Sequence, residues 1–187
     1  GVVHRDVNPA NVLLTEYGEP VLTDFGIAHI EGAFETETGA ISGSPAFTAP
    51  EVLSGERPRV ASDVYGLGAT LFAALTGHAA FERRQGEQVV AQFLRITTQP
   101  IPDLRQDGFP DEVSRVIEHA MDADPRRRPR TAAAFGHELQ QIQLGQGQRV
   151  DEMALLERSG RFPSGSSGAV TSDRRVGNLP AELSTFV

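Results

Sequence analysis

His4-Arg5-Asp6-Val7-Asn8-Pro9-Ala10-Asn11 is the stretch around which the rest of the chain is arranged, because it sets one carboxylate and two carboxamides within a few residues of each other. Further along stand Asp24-Phe25-Gly26 and then Ala49-Pro50-Glu51. Transfer of a phosphoryl group needs a base on the attacking hydroxyl, and metal ions that bridge the phosphates and absorb developing charge. Carboxylate and carboxamide oxygens must therefore converge from different segments. Asp6, Asn11 and Asp24 supply such oxygens. The pattern H-R-D-x-x-x-x-N is complete in His4, Arg5, Asp6 and Asn11, with D-F-G and A-P-E following in order. One such triplet is a weak signal, but three in sequence at loop-sized intervals argue strongly against coincidence.

On these motifs the chain resembles the eukaryotic-like (Hanks-type) serine/threonine protein kinases of bacteria, over roughly Gly1 to Leu144. The resemblance implies a protein-kinase-like fold, mainly α with a small β-hairpin, and only its C-terminal lobe. The glycine-rich loop and the strand lysine of the N-terminal lobe have no counterpart after Gly1. The expectation is a fragment of a longer protein, inactive alone, that transfers phosphate from ATP to protein serine or threonine with Mg2+, or Mn2+, as metal. Its partners would be protein substrates and the N-terminal lobe of its own parent.

Composition sets the frame. With 39% apolar and 22% charged residues, the chain has the make-up of a soluble globular domain with one sizeable core. Cysteine is absent and the histidines lack ligand spacing, so neither a disulfide framework nor structural zinc is expected. The apolar run Ala69 to Leu75 is too short to span a membrane. A formal charge of -8 argues against nucleic acid as a partner of this piece. A cytoplasmic protein fits best.

Val12-Leu13-Leu14 and Val21-Leu22-Thr23 flank a turn-rich segment and read as a hairpin that brings Asn11 and Asp24 together. By resemblance, Asn11 and Asp24 hold the metal and Leu13 lies under the adenine ring, although Leu13 also reads as ordinary strand core. The resemblance implies that Asp6 orients or deprotonates the acceptor hydroxyl. Asn8 stands where these kinases usually carry lysine, and an amide there brings a donor without a charge. Loss of one preorganised electrostatic donor typically costs on the order of a hundred- to a thousandfold in rate. Asn8 therefore leaves open a slow enzyme, a rewired one, or a pseudokinase that binds and scaffolds.

From Ile27 to Thr48 the chain is rich in Gly, Ser, Thr and Glu with little apolar period, as in a mobile loop. Thr36, Thr38 and Ser42 are candidate phosphorylation sites, with Arg5 as a cation for the phosphate; an unmodified polar linker is the alternative. By resemblance, Ser44 bonds near Asp6 and helps catalysis, while Phe47 lines a pocket for the residue after the acceptor or is simply core. The resemblance also implies that Glu51 pairs structurally with Arg128, in Asp124-Pro125-Arg126-Arg127-Arg128-Pro129.

Ser62 to Gly77 carries a capping serine, a glycine stop and apolar residues on every side, and reads as the central buried helix. By resemblance, Asp63 near its start would reach back to the catalytic-loop backbone; it could also complement the helix dipole. Three stripes at helical spacing follow: Val89, Val90, Phe93 and Leu94; Val113, Val116, Ile117, Ala120 and Met121; Phe135, Leu139 and Ile142. Each reads as core, and the outer face of the first could also receive a substrate or partner. Composition shifts after Leu144, so 145–177 is expected to be a flexible linker. Residues 178–187 resemble the entry to the signalling ATPases of large transcriptional regulators, which would give the parent access to DNA through a downstream domain.

Overall fold

Short β-branched and leucine runs on either side of a Gly-Pro turn pair as a ribbon, and this ribbon sets the geometry of the opening loop. β1 (Val12–Leu14) and β2 (Pro20–Leu22) are antiparallel, with Val12 opposite Leu22 and Leu14 opposite Pro20. The computed structural model describes residues 2–25, 45–151 and 153. The chain divides into two compact units, Gly1–Leu155 and Leu156–Val187, and the second lies outside the described residues. Two strands alone are marginal in water. This pair is tied down beyond its own ladder: Thr23 N–H and the Thr23 hydroxyl both donate to the Asn11 carbonyl, at 2.8 and 3.2 Å.

The remaining elements are helical: α1 (Pro50–Leu53), α2 (Val60–Thr76), α3 (Val89–Thr98), α4 (Asp111–Ala120) and α5 (Ala132–Gly145). The described residues thus form a mainly helical body with one small hairpin. Helix α2 is its axis. Val64, Tyr65, Ala69 and Phe72 are each exposed by no more than 1% and reach into two apolar clusters. One cluster gathers Phe81, Ile96, Leu104 and Ile117 around Tyr65 and Phe72; the other joins Val64 to Ala120 and Phe135.

Two glycines let neighbours approach α2 at backbone distance. A Cβ on Gly66 would lie 2.8 Å from the Val7 carbonyl oxygen, and one on Gly68 would lie 2.8 Å from Ala120 Cβ. Nothing larger than hydrogen fits at either place, so the opening loop and α4 are both seated directly on this helix.

Helix α2 ends as its sequence implies, with Gly77 in the left-handed conformation. Its start differs from the expectation. The helix begins at Val60, and Ser62 lies inside the first turn rather than capping it. The Ser62 hydroxyl accepts the Arg59 N–H at 3.1 Å and donates to Glu51 Oε1 at 3.0 Å. A serine that serves the N–H in front of it from inside the helix looks, in sequence, like a cap two residues late.

Helix α3 corrects the first stripe. Its buried residues are Gln92 and Ile96, whereas Val90 and Leu94 are 70% and 59% exposed. The rotation is set by a polar contact, since Gln92 Nε2 donates to the Phe81 carbonyl at 2.9 Å. An apolar period cannot register a glutamine that is drawn inward by an unpaired carbonyl. In α4 and α5 the stripes do face inward. Ile117, Ala120, Met121 and Phe135 are buried, and Thr131 caps α5 by accepting the Ala134 N–H at 3.0 Å.

Contacts with α5 continue past Gly145. Gln140 and Gln143 donate to the Asp151 carbonyl and carboxylate at 2.6 and 2.9 Å. Met153 lies so close to Gly136 that a Cβ there would meet its sulfur at 2.3 Å. Among the described residues, no helix is long and apolar enough to cross a membrane.

Candidate active site

The opening loop is held in shape from below by one carboxylate. Asp63, in the first turn of α2, accepts the backbone N–H of His4 at 2.7 Å and that of Arg5 at 2.8 Å, one on each oxygen. Hydrogen bonds to an ionised acceptor are about twice as strong as neutral ones. They hold Arg5 at φ 75°, a left-handed conformation that a side-chain-bearing residue adopts only under such constraint. The Asp63 carboxylate is thus committed to the loop.

His4, only 3% exposed, bridges the loop to the segment after β2. Its Nε2 lies 2.8 Å from the Thr23 carbonyl, which can only accept, so Nε2 carries the proton. Nδ1 is left as the acceptor for the Asp6 N–H, at 3.4 Å. The His4 ring also packs against Phe25, with centroids 4.6 Å apart. Residues on both sides of the hairpin are therefore locked to one buried imidazole, a role the motif alone did not disclose.

Above this base sits Asp6. Asn11 Nδ2 donates to Asp6 Oδ2 at 3.0 Å and to the Asp6 carbonyl at 2.8 Å. Asn8 Nδ2 donates to Asp6 Oδ1 at 2.9 Å. With its nitrogen so engaged, Asn11 keeps its amide oxygen uncommitted among the described residues. Asp24 follows Thr23, whose N–H is bonded to Asn11, and takes a left-handed backbone at φ 55°. The Asp24 side chain accepts no hydrogen bond among the described residues and is exposed. Asp6, Asn8, Asn11 and Asp24 are thus gathered around one hairpin end.

A carboxylate and an amide carbonyl are hard oxygen donors suited to magnesium, which ordinarily takes one or two protein oxygens and completes its shell with phosphate and water. Among the described residues, no cluster of three or more His, Asp or Glu forms a ready-made cage. Such a site fits a metal that arrives with phosphates.

Leu13 is 55% exposed, which removes the strand-core alternative for it. Leu14 and Phe25 are also open, at 72% and 52%. Phe47 is part of the core and also borders open space. It packs on the main cluster and also lines a groove of 780 Å³ that runs from Pro9 past Ala46 to Val89. Thr36, Thr38, Ser42 and Ser44 lie outside the described residues, as do Gly26 and residues 178–187. Arg5 is exposed.

Behind the site, Arg128 and Glu51 form a two-pronged pair at 2.8 and 2.7 Å, with side chains 0% and 9% exposed. Arg128 also donates to the carbonyls of Ala61 and Asp122 at 2.9 and 2.7 Å, and its guanidinium lies 5.0 Å from the Tyr65 ring centroid. Burial by itself raises the Glu51 carboxyl. Hydrogen bonds from Arg128, from its own backbone and from Ser62, together with the Arg128 charge, outweigh that and hold it below its ordinary value of 4.5. Tyr65 is pushed the other way by its own burial. The pair joins α1, the start of α2 and the segment before α5.

A family model described as protein kinase domain matches residues 1–139. The chain belongs to the protein kinase domain family. It is 61% identical over 177 residues to the serine/threonine-protein kinase PknK of Mycobacterium tuberculosis, covering 95% of this chain and 16% of that protein. It is also 33% identical to the serine/threonine-protein kinase PknB of Mycolicibacterium smegmatis, covering 94% of this chain and 29% of that protein. PknA of Mycobacterium tuberculosis is 34% identical, over 92% of this chain and 40% of its own length. The kinase domain described here thus spans well under half the length of these relatives. Its family match ends within α5.

Proposed function

We propose that this chain is the C-terminal lobe of a bacterial serine/threonine protein kinase, acting within a longer cytoplasmic protein. The observation that carries the reading is the set of donors on Asp6: an amide N–H on each carboxylate oxygen, with Asp24 at the neighbouring end of the hairpin. The backbone grip of Asp63 on His4 and Arg5 supports it, because it fixes the loop before any substrate arrives.

In this reading Asp6 meets the hydroxyl of a serine or threonine, orients it toward the terminal phosphate of ATP and accepts its proton as the phosphoryl group transfers. Asn11, through its amide oxygen, and Asp24 would hold Mg2+ or Mn2+, which supplies charge neutralisation for the phosphates. Leu13 would contact the adenine, Ser44 would help orient Asp6, and the groove beside Phe47 would take the residue after the acceptor. Arg5 would receive a phosphate on Thr36, Thr38 or Ser42. Glu51 and Arg128 support the scaffold. An upstream lobe would complete the nucleotide site, so the piece alone should be inactive. Residues 145–177 would serve as a linker and 178–187 as the start of a regulatory ATPase through which the parent could act on DNA.

The test is transfer from labelled ATP by the full-length protein, followed by identification of the labelled amino acid. Label on serine or threonine and none on tyrosine is expected; label on tyrosine, or none that depends on a divalent metal, contradicts the reading. The neutral Asn8 favours one second reading, a kinase-shaped binding module. Absence of transfer in the natural protein, with its appearance in Asn8→Lys, would establish that alternative.

A further inference from the structure

Asn8 lacks the positive charge of a lysine, but its side chain is fully employed. Oδ1 accepts the Ala10 N–H at 2.9 Å and so caps the 3₁₀ turn Pro9–Asn11. A backbone N–H can only donate, so the amide oxygen must face Ala10 and Nδ2 must face Asp6. Nδ2 then donates to Asp6 Oδ1 at 2.9 Å and, more weakly, to the Asp6 carbonyl at 3.3 Å. Asn11 approaches from the other side and donates to Oδ2 at 3.0 Å.

A carboxylate with one fixed N–H on each oxygen cannot turn about its own axis without breaking a bond, so its remaining lone pairs point in set directions. The Asn8 end of this clamp is rigid because the same amide caps the turn that carries it. A lysine ammonium has donors only and could not accept the Ala10 N–H. The side chain found here does something a lysine could not.

We propose that Asn8 is a positioning residue. It aligns the Asp6 carboxylate from a turn that it caps itself, so this kinase domain keeps an oriented base without a cation at that place. The inference rests on the reading of Asp6 as the group that meets the acceptor hydroxyl. It makes Asn8 matter for turnover rather than for holding nucleotide, because both of its polar atoms are spent within the loop.

Two variants of the full-length protein separate the cap from the clamp. Asn8→Asp is isosteric and keeps an oxygen for Ala10, but it removes the donor and sets a carboxylate against Asp6. Asn8→Ser keeps a capping oxygen on a shorter side chain. For both, kcat should fall about a hundredfold, the scale of a reacting group misplaced by an ångström. The KM for ATP should stay at the wild-type value in both, and in Asn8→Ser the melting temperature should stay there as well. Wild-type kcat in Asn8→Asp, or a loss that appears in the KM for ATP, overturns the proposal; if Asn8→Asp does not fold, Asn8→Ser decides on the same criteria. Asp24→Asn in the same assay guards the underlying reading. If it transfers phosphate at the wild-type rate, Asp24 holds no metal that transfer needs and the reading of the site fails at that point, a result distinct from failure of the Asn8 inference.

Discussion

Asp24→Asn in the full-length protein should lower phosphate transfer from ATP on the order of a thousandfold, the upper end for loss of one preorganised electrostatic group, while leaving the melting temperature where it was. The two halves of this expectation have separate grounds. Asp24 is exposed and accepts no hydrogen bond among the described residues, so no contact described there depends on its charge. Its backbone lies at φ 55°, and asparagine tolerates the left-handed region as well as aspartate does, so the substitution adds no strain. What is lost is the anionic oxygen that the proposed metal site draws on. Initial rates with a serine- or threonine-bearing peptide, beside a thermal melt, measure both halves. Equal rates would remove Asp24 from the metal site, and a large fall in melting temperature would make it structural.

Arg128→Ala should have the opposite profile, with stability lost first and activity only in consequence. Glu51 would remain in α1 as a buried carboxylate without its counter-charge, keeping only neutral donors such as the Ser62 hydroxyl, and the carbonyls of Ala61 and Asp122 would lose the guanidinium donor. Removing one partner of such a buried pair typically costs about 3 to 5 kcal/mol, a large share of the stability of an ordinary domain. Denaturant unfolding checks the size. The pH dependence checks the cause. Because the folded Glu51 carboxyl sits below 4.5, the contribution of the pair is present above that pH and is lost as pH falls through the lowered value. Wild-type stability should therefore drop on the acid side of about pH 4.5, and Arg128→Ala should show a shallower drop from a lower start. A variant as stable as wild type at neutral pH would mean that the pair contributes nothing beyond what water supplies.

The parts of the fold that were legible in sequence are those with a local cause. Gly77 ends α2 because a left-handed cap needs glycine, and the apolar run before it buries Val64, Tyr65, Ala69 and Phe72 while leaving Leu75 exposed near the end. The hairpin follows from two short apolar runs and a Gly-Pro turn, and with it the approach of Asn11 to the segment of Asp24, thirteen positions away. The misreadings share a different cause, a polar group acting across the fold. Ser62 looked like a cap because it does satisfy an N–H, and only the structure shows that it does so from inside the helix. Gln92 turned α3 by pairing with a carbonyl eleven residues earlier, leaving Val90 and Leu94 outside.

The site divides in the same way. Spacing alone placed Asp6, Asn8 and Asn11 in one loop, but not that both amides would point their nitrogens at Asp6, which depends on the capping of Ala10. His4 and Thr23, nineteen residues apart, meet through a hydrogen bond that no periodicity encodes. Glu51 and Arg128 are seventy-seven residues apart, and only resemblance to a known family pointed to their pairing.

The most direct test of the account is the rate of phosphate transfer by Asp6→Asn in the full-length protein, measured together with ATP binding. The Asp63 grip on the loop, the His4 bridge and the paired amides all bear on Asp6. The account predicts that transfer collapses while ATP and magnesium bind as before, since Asp6 serves the acceptor hydroxyl and not the nucleotide. Transfer that persists at the wild-type rate would contradict it, and would place the working group of this kinase domain elsewhere.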